Sequence, residues 1–360
     1  MQLIVFILIL SVLILIHELG HFLMARLFKM RVEEFGVGLP PRAKTLFVRK
    51  GTTFSLNWLP LGGFVKLYGE DMSDPAQASS PDAFFNKPMW QRACVFVAGV
   101  FMNFVLGVIV FAIVYSHLGI PTKTNKVIII DVSKDSPAQM AGIQPESEVK
   151  SISFGKEQIA YSNVDEFVKK VDSFKGKELD MNLLQKDGVE KSVKITPRVN
   201  PPEGQGGLGV ALSNIVMMKF PFWQMPFRGV VIGLQEAIGW GKEIFGNLVM
   251  VITDIFTGKG LPKDIAGPVG IYQVSKEVYK VGWIAILQFM GILSINLAIL
   301  NVMPFPALDG GHIIFLGIEK IIGKKLKNKI EGYVHMGGMV ILLALMVLIT
   351  VKDVLKLFVR

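Results

Sequence analysis

The chain has 360 residues, 51% of them hydrophobic, with 38 Lys and Arg against 29 Asp and Glu and a formal net charge of +9. With a positive mean hydropathy, this excludes an ordinary soluble enzyme and fits a polytopic membrane protein with a water-soluble insert. The positive residues fall in short blocks beside apolar spans, so they report topology and not nucleic-acid binding; the single cysteine, Cys94, excludes an intramolecular disulfide and a cysteine-based zinc site.

Residues 1–30 predict a first transmembrane helix that carries His17, Glu18 and His21 in the run LILIHELGHFLMARLFKM. Histidines at i and i+4 lie on one helix face, near enough to share a metal ion, and the carboxylate between them is placed to take a proton from water. A charged side chain at bilayer depth costs roughly 2.5–3.5 kcal/mol on insertion scales, so Glu18 needs a function there. The alternative is a chance or degenerate motif, which the apolar context disfavours. No basic region precedes the run and no small-residue cleavage site follows it, so it reads as a retained span and not as a cleaved signal. Arg26, Lys29 and Arg31 follow, which puts the N-terminus outside and the histidine end near the cytoplasmic half.

Residues 31–92 read as a cytoplasmic or membrane-dipping β region, with glycine and proline turns and an apolar face of Phe54, Leu56 and Trp58. One reading is a structural sheet. The other is a hairpin whose free edge adds a partner segment as an extra strand, holding extended backbone whose carbonyls a helix would hide. Residues 93–118 predict a second span with Gly99 four positions before Asn103. The glycine suits close helix packing, and the buried amide needs either a substrate backbone or a structural partner.

Residues 119–203 turn to mixed charge and predicted strands, in the order VIIIDV, a turn at Ser136-Pro137-Ala138, EVKSISF, a helix-like VDEFVKKVDSF, ELDMNLLQ and EKSVKITP. Residues 204–280 read as interfacial amphipathic helices, because Glu236, Lys242, Glu243 and Asp254 interrupt their apolar runs.

Residues 281–310 predict a third span, broken by ILNVMPFPALDGGH. Two histidines do not complete a catalytic zinc site, which takes three protein ligands and an open position. Asp309 is the preferred further donor because it sits on the broken segment, and His312 is its competitor; irregular backbone at that depth survives only when buried in protein or lining a wet cavity. His117 and His335 lie at predicted span ends and read as interfacial residues. A connection over 311–334 and a fourth span over 335–360 complete the chain. Arg42, Lys44, Arg49, Lys50, Lys87 and Arg92 fill the first connection, and Lys320, Lys324, Lys325, Lys327 and Lys329 the last. Both connections are therefore expected in the cytoplasm, with the N- and C-termini and the 119–203 domain extracytoplasmic.

The element order of residues 119–203 resembles a bacterial PDZ domain, departing at Pro145-Glu146-Ser147-Glu148, where that family has a Pro-Gly-Asp turn. Taken with HELGH in the first span, Gly99-x-x-x-Asn103 in the second and Asn301-x-x-Pro304-x-Pro306-x-x-Asp309-Gly310 in the third, the full length resembles a bacterial site-2 protease of the RseP/RasP type, a zinc intramembrane metalloprotease. The resemblance implies a Zn2+ cofactor held by His17, His21 and Asp309, Glu18 as catalytic base, and Asn103 and Asn301 helping to hold the substrate backbone. It also implies single-span membrane protein substrates in the bilayer of the bacterial cytoplasmic (inner) membrane. These are regulators such as anti-sigma factors, cut after a first protease has shed the outer part, or signal-peptide remnants.

The expected fold is a polytopic α-helical membrane protein with four transmembrane helices, a membrane-associated β-hairpin region and one α+β PDZ-like extracytoplasmic domain. Two other readings compete: a non-catalytic scaffold recruiting partners through the PDZ-like domain, and a zinc transporter. An intact Glu18 argues against the first, and ligands that are not strung along a pore argue against the second.

Overall fold

Residues Gln2–Leu27 contain no proline and are apolar at nearly every position, so a helix satisfies their backbone internally, as lipid requires; they form α1. The structure, a computed structural model, describes residues 1–70, 80–258, 266–323 and 328–358. It divides into two units, Met1–His117 with Pro226–Arg360, and Leu118–Met225. Lys324, Lys325 and Lys327 lie outside the described residues, as do residues 259–265 and the side chain of Lys329.

After α1 come two long strands, β1 (Val32–Arg49) and β2 (Thr52–Leu67), and then α2 (Met89–Leu118), which Pro88 precedes. Both strands bend at mid-length. Glu34 pairs with both Lys66 and Thr53, and Phe35 with both Val65 and Phe54, so the first half of β1 lies between two segments of β2. α1 and α2 approach closely at a glycine pair: a Cβ on Gly20 would lie 2.9 Å from the Gly99 Cα and nearer still to the Ala98 carbonyl. Small residues of this kind let membrane helices gain backbone contact that larger side chains would prevent.

The second unit is a six-stranded antiparallel sheet. Its strands are β3 (Ile120–Val132), β4 (Ser147–Phe154), β5 (Glu157–Ile159), β6 (Leu179–Leu184), β7 (Glu190–Ile195) and β8 (Val210–Met218), in the order β7-β6-β4-β3-β8 with β5 paired to β4. Two helices complete it, α3 (Pro137–Met140) and α4 (Val164–Ser173). Asn163 starts α4 by accepting from the Glu166 N–H at 2.9 Å, while the Glu166 carboxylate reaches back to the Ser162 N–H. This reciprocal cap satisfies donors that the first turn leaves open. Phe167 and Val171 then bury against Val127, Ile129, Ile152, Leu179 and Met181 as the core of the unit.

The chain returns to the first unit through α5 (Met225–Phe256), α6 (Pro268–Val281), α7 (Trp283–Val302), α8 (Asp309–Ile322) and α9 (Asn328–Phe358). Among the described residues, α1, α2, α7 and the Glu331–Lys356 part of α9 are the four helices long and apolar enough to cross a membrane. Phe111 and Tyr115 of α2, Ala237 of α5 and Ile295 of α7 share one buried cluster. Buried polar contacts tie the helices further: Arg92 pairs with Glu319 at 2.5 Å, and Asp353 accepts from the N–H groups of Gly267 and Gly270, each at 2.8 Å, which caps α6.

Several boundaries differ from the sequence reading. The helices expected over 204–280 begin only at Met225, because Val210–Met218 pair with Ile120–Val132 as a strand. Ser213 and Asn214 dilute the alternation of that strand, and its partner lies about 90 residues away, so no local pattern reveals it. α2 begins at Met89 and α9 at Asn328, earlier than 93 and 335, since apolar length marks the lipid-crossing part and not the whole helix. The third helix, Trp283–Val302, ends inside the segment expected to break it, because Pro304 and Pro306 supply no N–H to continue it.

Candidate metal centre

α1 places His17 and His21 one turn apart on the face turned to α2, and Gly99 makes room for them. A Cβ at Gly99 would lie 2.5 Å from Nε2 of His21 and 2.8 Å from Cε1 of His17. The His21 Nδ1–H donates to the Val95 carbonyl at 2.8 Å, which leaves Nε2 as the bare nitrogen. His17 Nδ1 meets the side-chain amide of Asn103 at 3.3 Å. Asn103 is wholly buried and its Oδ1 has no other partner. A half-turn of the amide lets that oxygen accept from His17 Nδ1–H, so both rings present bare Nε2 atoms, which lie 3.1 Å apart.

Asp309 reaches the same point from the far end of the chain. α7 ends at Val302, a turn follows, and Asp309 is the first residue of α8. Gly310 and Gly311 let that helix start close under the preceding turn; a Cβ at Gly311 would lie 3.0 Å from the Phe305 carbonyl carbon. Asp309 Oδ2 is 3.1 Å from His17 Nε2 and 3.6 Å from His21 Nε2, and it is buried with no hydrogen-bond partner.

Three ligands set tetrahedrally about 2.0–2.2 Å from zinc stand roughly 3.3–3.6 Å from one another. The separations here, 3.1, 3.1 and 3.6 Å, fit that set. A buried carboxylate oxygen beside two imidazole nitrogens is a donor set whose chemistry suits a divalent cation. Glu18 also comes within 4.8 Å of the two histidines through a carboxylate oxygen, but its Oε2 accepts from the Val65 N–H of β2 at 3.0 Å.

A cavity of about 360 Å3 opens on this group, and His17, Glu18, His21, Asn301, Asp309 and His312 line it. Asn301 therefore stands on the wall, whereas Asn103 lies behind His17. The His312 Nδ1 is engaged by Glu331 Oε1 at 3.2 Å, and the oxygen beside the histidine pair is Oδ2 of Asp309. Phe54 stacks on Phe47, with ring centroids 4.5 Å apart, and packs on Phe22 of α1; Leu56 and Trp58 are exposed.

The sequence reading missed three partners. The Val95 carbonyl and Val65 amide are backbone groups with no residue signature. His335, read as interfacial, instead accepts from the Ala307 N–H at 2.9 Å. The spacing Glu331-x-x-x-His335-x-x-Gly338 on one helix face was the available signal.

Peptidase family M50 matches residues 5–345. The chain is 32% identical over 354 residues to a protein of Fusobacterium nucleatum named as a zinc metalloprotease, covering 97% of each chain. It is 34% identical over 349 residues to one of Clostridium perfringens with a name of the same form, covering 96% of each. With the zinc metalloprotease RasP of Oceanobacillus iheyensis it shares 27% identity over 430 residues, covering 98% of each. A match from residue 5 to residue 345, which takes in α1, α7 and α8 and reaches into α9, makes this chain a member of peptidase family M50, a multi-pass membrane protease that uses zinc.

Proposed function

We propose that the chain is an intramembrane endopeptidase that cuts membrane-spanning segments of single-span proteins in the bacterial cytoplasmic membrane, with His17, His21 and Asp309 as zinc ligands and Glu18 as general base. The observation that carries this reading is the buried, unpartnered Asp309 oxygen 3.1 Å from His17 Nε2. When bound, zinc supplies a Lewis acid that polarises the scissile carbonyl and lowers the pKa of water toward ~7.

The chain's own residues do the rest. Glu18 takes the proton from the attacking water and returns it to the leaving amine. The Val65 N–H holds one of its oxygens, which orients the carboxylate toward the reacting atoms and leaves the second oxygen for the proton. Asn103 fixes the His17 ring, the orienting task usual for a partner behind a metal-ligating histidine, and the Val95 carbonyl does the same for His21. Asn301, on the cavity wall, donates to the substrate backbone.

A substrate helix must unwind before its carbonyl is exposed. The second segment of β2, Gly63–Lys66, pairs with β1 on one side and presents Val65 to the site on the other. That edge is suited to receive the unwound segment as an added strand. Phe54, Leu56 and Trp58 lie on the other segment of β2, across β1 from that edge. In this reading the basic connections are cytoplasmic, both termini lie outside, and the Leu118–Met225 unit is an extracytoplasmic PDZ-like domain. That domain captures peptide ends or filters substrates by size. Anti-sigma factors and signal-peptide remnants are the two substrate classes.

The Glu18→Gln variant tests the assignment. Cleavage of a single-span substrate by the purified protein in detergent is expected to fall about 10²–10⁴-fold while bound zinc stays constant; retained turnover sinks the role given to Glu18. Single-span proteins that accumulate in membranes carrying this variant identify the substrates.

A further inference from the structure

The turn between α7 and α8 holds Ala307 at φ +78°, a left-handed conformation that a non-glycine residue adopts only when its surroundings impose it. Within the turn, Phe305 N–H donates to the Met303 carbonyl and Leu308 N–H to the Phe305 carbonyl. Pro304 and Pro306 have no N–H to offer. The Ala307 N–H leaves the turn altogether and donates to Nδ1 of His335 on α9, at 2.9 Å. Asp309 follows two residues later.

α9 grips the turn at a second point. A Cβ on Gly338 would lie 2.5 Å from the Pro306 Cβ and 2.7 Å from its carbonyl oxygen, so the glycine is what lets the helix lie on the turn. Glu331, His335 and Gly338 are spaced i, i+4 and i+7 and share one face of α9. Because His335 accepts at Nδ1, its proton sits on Nε2, 3.9 Å from Glu331 Oε1. The same carboxylate oxygen accepts from His312 Nδ1–H at 3.2 Å. The His312 ring is sandwiched between Phe96, centroids 4.5 Å apart, and His335, 3.8 Å.

Donor atoms of His312, Glu331 and His335 fall within 4.8 Å of one another, which raises a second metal site as the alternative. Two features oppose it. Accepting the Ala307 N–H occupies one imidazole nitrogen of His335 and leaves the other protonated. The two rings also stack within 15° of parallel, so their in-plane lone pairs do not converge.

We propose that His335, stacked on the His312 ring, is a positioning residue that holds the Ala307 turn and thereby fixes Asp309 against the histidine pair. The proposal rests on the reading of Asp309 as the third zinc ligand.

The experiment measures zinc loss from the full-length protein in detergent, by chelator competition, for His335→Asn, His335→Gln and His335→Ala. Asn places its Oδ1 near the position of Nδ1 and can still accept from Ala307; Gln places its oxygen near Nε2 and cannot. Zinc release is expected to stay within about 3-fold of wild type for Asn and to rise about 10–100-fold for Gln and Ala, the range seen when a ligand's supporting contact is lost. The zinc-free Asn and Gln variants are expected to melt together.

Asn and Gln variants with equal zinc release overturn the proposal, as does a Gln-specific loss of melting temperature in the zinc-free protein. If the Ala variant does not fold, the Asn and Gln pair decides. Asp309→Ala, run alongside, separates the two levels: unchanged release there sinks the ligand reading itself. Loss there with wild-type release in His335→Gln sinks the positioning role alone. A second bound zinc that disappears in Glu331→Gln would make the cluster a metal site and would also overturn the proposal.

Discussion

The two units of this chain differ in the polar groups that they bury. In Leu118–Met225, apolar side chains such as Phe167, Ile152 and Met181 fill the interior, and the charges stay at the rim, where half-exposed Lys126 and Lys150 each reach Glu148 at 2.9 Å. The membrane unit leaves its apolar side chains largely on the outside and buries polar ones: Asn103, His17, Ser294, Asp353, and Arg92 with Glu319. In water, removing apolar surface drives folding and polar pairs add little. In lipid the tails are as apolar as leucine, so close glycine contacts and buried polar partners must specify how the helices meet.

The largest effect that tests this contrast is removal of one buried polar partner in the membrane unit. Asp309→Ala is expected to leave the purified protein with less than stoichiometric zinc, measured by metal analysis; full stoichiometry would show that the orphaned oxygen is not a ligand. Second in size is Phe167→Ala, which empties the core of the sheet unit. About 3–5 kcal/mol of stability should be lost there, seen as an earlier melting step for that unit, with zinc content unchanged. A loss of zinc in this variant would mean that the units are not energetically separate.

The glycines give a sharper comparison. Gly99→Ala pushes a methyl group into both histidine rings and should weaken zinc binding about 10–100-fold. Gly155→Ala, in the turn between β4 and β5, meets nothing within 4 Å but must adopt φ +61°, so only about 1–2 kcal/mol of backbone strain is expected, with zinc untouched. Equal effects at the two positions would remove the argument from close approach.

The smallest expected effect concerns the rim charges. Burial pushes the Glu148 carboxyl up, but the hydrogen bonds and charges of Lys126 and Lys150 outweigh it and hold the group below its ordinary value of 4.5. A depressed folded-state pKa contributes stability above the unfolded value and loses it as pH falls through the folded one. Glu148→Gln should therefore cost roughly 0.2–1 kcal/mol at pH 7, and variant and wild type should converge in chemical denaturation as pH falls from the ordinary value of 4.5 through the depressed one.

Much of the fold was legible before any coordinates. The four lipid-crossing segments show as runs of apolar length, and His17 with His21 as an i, i+4 pair, because both are properties of a short stretch of chain. The edges of those segments were not. Met89 and Asn328 begin helices that extend past the apolar part, and Val210–Met218 is a strand only because Ile120–Val132 is there to pair with it. At the site, the expectation for Asn103 split between substrate and structural partner. The structure puts it on His17, behind the cavity wall, a distinction that depends on how α1 and α2 cross at Gly20 and Gly99 and not on the identity of Asn103 itself.

The order of residues by itself determined that this chain lives in a membrane, that two imidazoles and a carboxylate share one helix turn, and that a proline-broken segment offers an aspartate. These are consequences of hydropathy, helical period and backbone chemistry, each decided within a few turns of chain. Tertiary structure alone decided that Asp309 meets His17 and His21, that Val65 and Val95 hold the acid and the ring, and that His335 secures the turn. Those meetings join residues as far apart as position 17 and position 309, and whether such distant groups converge depends on three-dimensional packing that no local pattern encodes.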